Sequence, residues 1–382
     1  MEVYRCRFTV WRCLPTRTHS PLGDDPDAPL GILSCLENTT FVGDGLNMLF
    51  RPNNGTSANT KFPIPVDPAP PTFPNNNTLE INLFKETLTF GKALGQVPNR
   101  GSQQQGDVNL NALPYLQTIT DTTNDDTGRG DKTDGPGIHA ENGMFLHVPA
   151  TINNPNMATT ITRLGSIPHG VAINLHGFEP TASSTVFGPP DITHNPCLTT
   201  PFQTIGTTTN LQPFDSLKVE NKVTARIPQN LDKFAEQGTI TDVYLDDRTH
   251  LLTDVNKTRN ITKTITLTMS TTNLTNSSKP TDVPAGGGLV ANAFLDGDVG
   301  GKPNAFQGGG PVEVFHEGIK FVVHPPREIP EPTTVKVSVI ELQYSQMVML
   351  QFGVLTWPHP SVSTLKPEVV NVLANHEAWK GL

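Results

Sequence analysis

The sequence contains no run of lysine and arginine interleaved with aromatics, and its formal charge is −9, so a nucleic-acid surface is not expected. No stretch approaches the ~20 apolar residues that a membrane helix needs, and near residue 1 the longest apolar run is the four residues FTVW, so neither an anchor nor a secretion signal is expected. A glycine-rich phosphate loop, a dinucleotide fingerprint and a G-x-S-x-G nucleophile turn are all missing, which removes the commonest nucleotide-binding and hydrolase chemistries. The four cysteines, Cys6, Cys13, Cys35 and Cys197, fall in no zinc or haem-attachment spacing and read as free thiols in a reducing compartment. Seven N-x-S/T sequons occur, as chance allows in a chain rich in asparagine and threonine, and a cytoplasmic location is the expectation.

What is abundant is threonine, asparagine, glycine (32) and proline (35), a composition of short strands joined by turns. Period-two segments recur: LEINLF (79–84), TLTF (87–90), DVNLNA (107–112), TTITRL (159–164), VAINL (171–175) and ITKTITLTM (261–269). VKVSVIELQY (335–344) shifts its apolar phase between Val339 and Ile340, which predicts a bulge. Only two helices carry start and stop signals, 230–238 between Asn230 and Gly238, and a C-terminal one over 367–382.

These elements predict an all-β chain: a poorly structured segment over 1–30, then one antiparallel β domain over 31–366 with insertions near 120–137, 179–215 and 279–312. The acidic 125–135 loop lacks calcium-loop spacing and reads as solvated. HEGIKFVVH (316–324) separates its histidines by eight residues, too far along a strand to share one zinc ion.

One histidine is mounted unusually. In LTWPHPSVSTL (355–365), His359 sits between Pro358 and Pro360, which hold the backbone extended. Either the ring is presented to a ligand or it ends a surface strand and binds nothing. His139 and Glu141 share one strand face and could order a pocket wall. His169, in the turn after Arg163, is either a solvated residue or a group lining the open end of a pocket.

Three of these segments together resemble a family. FVGDG (41–45), with Phe41 where that family has tryptophan, IHAENGMFL (138–146) and WPHPSVSTL (357–365) are similar, in the same order, to the strands of nitrobindins, haem-binding barrels of the calycin group. SIPHG (166–170) and LQYSQ (342–346) also resemble a longer group of fungal and bacterial haem-binding proteins.

The resemblance implies a calycin-like antiparallel barrel of about ten strands holding b-type haem, with His359 as the iron ligand and Trp357, Phe41 and His139 around the cofactor. An open iron site would bind nitric oxide and isomerise peroxynitrite, or turn over peroxide with His169 and Arg163 as proton-transfer and charge-stabilising groups. Two other classes fit the strand pattern: a lipocalin-like carrier of an apolar small molecule, and a structural β-sandwich.

Overall fold

The computed structural model describes residues 29–52, 77–99, 108–150, 158–168, 172–180, 185–190, 192, 202–205, 208–211, 218–222, 226–269, 312–323, 327–328, 336–337, 340–352 and 355–368. Ten long strands form one continuous antiparallel path. They are β1 (Thr40–Pro52), β2 (Asn77–Phe90), β3 (Val108–Asp121), β4 (Gly137–Val148), β5 (Thr160–Ser166), β6 (Ala172–Phe178), β7 (Lys263–Met269), β8 (Val312–Val323), β9 (Ile340–Phe352) and β10 (Leu355–Pro367). The order across the sheet is β6-β5-β4-β3-β2-β1-β10-β9-β8-β7, with short strands added along it.

The first six strands run as a meander, and β10 returns to pair with β1, so the N- and C-terminal halves meet at the centre of the sheet. The sheet curls until β7 packs against β6, but no hydrogen-bonded ladder joins those two among the described residues. The all-β, antiparallel expectation is met, and among the described residues the sheet is curled but its two edges are not joined into a barrel.

Both faces of the central strands are buried, because the two phases of each strand carry different cores. On β2, Phe84, Glu86, Leu88 and Phe90 share one phase, while Leu79, Ile81 and Leu83 share the other. The inner phase joins Phe41, Phe90, Leu113, Tyr115, Phe145, Leu175, Leu267 and Leu342 in one cluster, closed by a 3-10 turn (Gly31–Cys35) that inserts Ile32 and Leu33. Phe41 and Phe90 meet edge to face at 6.1 Å within it.

The outer phase is covered by three short helices, α1 (Asp232–Gln237), α2 (Asp242–Asp246) and α3 (Thr249–Lys257). Phe234, Leu245 and Leu252 bury there against Leu46, Met48, Leu79 and Ile81. Helix α1 is the one expected over 230–238; the Asn230 side chain accepts from the Asp232 N–H, and the chain leaves through Gly238 at φ 70.

Helices α2 and α3 depart from the expectation of only two helices. Five and nine residues show too few turns for a periodic signal, and such helices form because the sheet offers an apolar face to pack on. Pro367, expected to open the C-terminal helix, is the last residue of β10, and 369–382 lie outside the described residues. So does Val339, and with it the predicted bulge; the ladder is irregular instead between Val314 and His316 and between Ile119 and Thr120.

Cys35 is disulfide-bonded, which corrects the free-thiol expectation at that position; Cys6, Cys13 and Cys197 lie outside the described residues. Cysteine spacing could not reveal a bond made by folding rather than by sequence proximity. Among the described residues no helix is long and apolar enough to cross a membrane.

The 120–137 connection is a built turn. Its aspartates 125, 126, 131 and 134 are exposed, as expected of a solvated loop, but Gly128 is buried. Lys233 donates to the Asp126 carbonyl and Arg129 to the Gln237 side chain, so the loop is docked on α1.

Candidate functional site

The inner face carries a buried polar network in the middle of the apolar cluster. It is built from four adjacent strands, and from β9 elsewhere in the sheet, at positions whose phase would otherwise bury apolar groups: Glu86 on β2, Tyr115 and Gln117 on β3, Glu141 on β4, Arg163 on β5 and Tyr344 on β9. Arg163 Nη2 donates to Glu141 Oε1 at 2.8 Å and to Gln117 Oε1 at 3.1 Å, and its Nε donates to the Tyr115 hydroxyl at 3.1 Å. The Tyr115 hydroxyl donates to Glu141, and the guanidinium lies 5.3 Å from the Tyr115 ring centroid. Gln117 Nε2 donates to Glu86 at 2.6 Å, and the Tyr344 hydroxyl reaches the other Glu86 oxygen at 2.7 Å.

Glu141 is paired directly with the guanidinium, whereas Glu86 is linked to it through Gln117, and their surroundings set them apart. Burial pushes the Glu141 carboxyl up, but the Arg163 charge and hydrogen bonds from His139 and Tyr115 outweigh it and leave the group at about 2. Burial dominates at Glu86 and holds its carboxyl above the usual range despite hydrogen bonds from Tyr344, Gln117 and Ser363. The Arg163–Glu141 pair balances its own charge, and a Glu86 carboxyl whose proton is held above the usual range puts less uncompensated negative charge into a low-dielectric core.

Three of the residues singled out from sequence, Arg163, Glu141 and His139, fall in this network. Arg163 is buried and committed to Glu141, Gln117 and Tyr115. His139 lies at its edge, Nε2 at 3.3 Å from Glu141 Oε2, so the His139–Glu141 pair anticipated from their shared face is present.

His359 lies elsewhere. It is half-buried on β10, in the same phase as Ser361, Ser363 and Leu365, and pairs across the ladder with Val348. Phe41 pairs with Pro367, eight residues farther along β10, roughly 26 Å at strand spacing. The rung of His139 runs through Ile119, Glu86 and Gly43 to Leu365, six residues from His359. Of the four cofactor-lining candidates, only Trp357 shares the end of β10 that carries His359. His169 lies outside the described residues.

Sequence reasoning missed Glu86, Tyr115, Gln117 and Tyr344. The signal for Glu86 was present: it interrupts an inner phase otherwise made of Phe84, Leu88 and Phe90. The glycines of FVGDG have a backbone reason. A Cβ on Gly43 would stand 1.9 Å from the Thr364 carbonyl oxygen, so β1 and β10 approach there as only glycine permits.

A second feature lies on the outer side of the sheet. A cavity of about 450 Å³ opens between β1, β10, α3 and the docked loop, and its lining includes none of His139, Arg163, His359, Trp357 and Phe41. Among the described residues no group of three or more histidine, cysteine, aspartate or glutamate side chains is placed to hold a metal ion. Comparison with protein-family models, with curated proteins and with solved structures finds no match to this chain.

Proposed function

We propose that the chain is a b-type haem-binding β protein, in which His359 would hold the iron and the bound group would supply reactivity toward nitric oxide, peroxynitrite or peroxide. The observation that supports this reading is the mounting of His359. The ring stands half-buried in the inner phase of β10, beside a buried Pro360 that holds the backbone extended. A neutral imidazole on a stiff strand suits the donor chemistry of haem iron, and a serine pair followed by Leu365 gives the same face a polar-to-apolar gradient that an amphipathic macrocycle would match. When bound, the group would supply the redox and ligand-exchange chemistry of ferric iron.

The chain's own residues divide into two roles. His359 holds and orients the group. Arg163, Glu141 and His139 maintain the inner wall, because their donors and acceptors are engaged with one another. Any proton transfer to peroxide then falls to a group such as His169, and His169→Ala should lower peroxide turnover by ~10²-fold or more while leaving nitric oxide binding nearly intact.

Titration of the purified chain with haemin tests the reading. A Soret band that saturates near one equivalent, is lost in His359→Ala and is kept in His139→Ala is the expected result. A normal Soret band in His359→Ala would overturn it.

A further inference from the structure

The outer cavity is separate from the haem reading, and its walls say what it can take. Its volume of about 450 Å³ suits one small molecule. One side is apolar, formed by Leu83 of β2 and by Leu251, Leu252 and Val255 of α3. The hydroxyls on the other side are already used as donors: Thr122 to the Leu83 carbonyl at 3.0 Å and Thr239 to the Gly128 carbonyl at 2.6 Å. Each hydroxyl can then offer an occupant only its oxygen lone pairs, so the polar part of that occupant must donate.

The charged groups narrow the choice further. Arg259 lines the cavity but is ion-paired with Glu341. Asp44 and Lys366 line it as well, and among the described residues neither makes an ion pair. Asp44 stands opposite Lys85 of β2, which does not line the cavity, and opposite Thr364 of β10, so Lys366 is its diagonal neighbour on the same face, about 7–8 Å away. Two opposite charges at that spacing, facing one cavity without closing on each other, bracket a molecule that carries both charges itself.

We propose that this cavity binds a free α-amino acid with an apolar side chain. Its ammonium faces Asp44 and the acceptor wall, its carboxylate faces Lys366, and its side chain lies against Leu251, Leu252 and Val255. The docked 120–137 loop contributes Thr122 and Gly130 to the enclosure, which gives that connection a role in the site.

Calorimetric titration of the full chain with L-leucine tests this, using 4-methylpentanoate (no amine) and 3-methylbutylamine (no carboxylate) as comparators. Leucine is expected to bind, each comparator about tenfold more weakly or worse, and Asp44→Asn and Lys366→Met each to weaken leucine binding by about tenfold or more. Both side chains are exposed, so both variants should fold. Should either melt early, Val255→Phe, which fills the cavity from α3 without touching a charge, must also abolish binding. No heat of binding at roughly millimolar leucine would overturn the proposal. Equal binding of 4-methylpentanoate would overturn the zwitterion class, and unchanged binding in the variants would overturn the location.

Discussion

Arg163 and Glu141, on neighbouring strands, are ion-paired at 2.8 Å with side chains only 6% and 1% exposed, inside a cluster of aromatic and aliphatic residues. Removing one partner of such a pair leaves the other charged and desolvated. Glu141→Ala should therefore cost about 3–5 kcal/mol in urea-unfolding free energy. The double variant Arg163→Met, Glu141→Leu should lose clearly less than the sum of the two singles, because no orphaned charge remains; additive losses would show that the pair is not coupled.

The two network carboxyls should give opposite pH slopes. Glu86 is protonated in the folded chain at pH values where the unfolded chain has ionised it, so its favourable share of stability is present below its ordinary value of 4.5 and is lost as pH rises through the folded value. Glu86→Gln should therefore remove a loss of stability on the alkaline side of 4.5, read as a flatter melting temperature against pH. Glu141, held at about 2, contributes above 4.5 and loses that contribution as pH falls through about 2. In Glu86→Gln the acid-side decline should remain.

The close approach of β1 and β10 at Gly43 makes the smallest possible addition harmful. Gly43→Ala places a methyl carbon against the Thr364 carbonyl oxygen, and an overpacking cost of about 1–3 kcal/mol is expected, measured as a lowered unfolding midpoint with an unchanged denaturant slope. At Gly137, where an added Cβ meets nothing within 4 Å, the same substitution should be far milder.

Asn256 on α3 and Gln343 on β9 exchange two buried amide hydrogen bonds, at 3.0 and 2.7 Å. Asn256→Ala leaves both polar ends of Gln343 unmatched and should cost about 1–3 kcal/mol. The same burial separates two neighbouring sequons: Asn260 is exposed and Asn256 is not. Mass spectrometry of folded chain from a glycosylating host should find sugar at Asn260 and none at Asn256.

The strands were legible because alternation is a local property. Ile265, Leu267 and Met269 had to face one way whatever lay opposite them, and all three are buried on one side of β7. Helix α1 was legible for the same reason, its stop signal at Gly238 lying within its own sequence. That His139 and Glu141 would meet also followed from strand period alone.

The rest depended on which strands became neighbours. Nothing local to Arg163 shows that Glu141 and Gln117 will stand beside it, because the three come from three strands brought together by the ladder. A polar residue in an apolar phase, such as Glu86, announces only that some partner must exist. The partner's identity, and with it the protonation state, is decided by tertiary packing. Helices α2 and α3 are likewise too short to hold themselves together, and they form because the outer face of β1 and β2 needs covering. Periodicity acts between residues a few positions apart and is written in the sequence; charge balance and burial act between residues far apart in the chain, and only the folded sheet sets those distances.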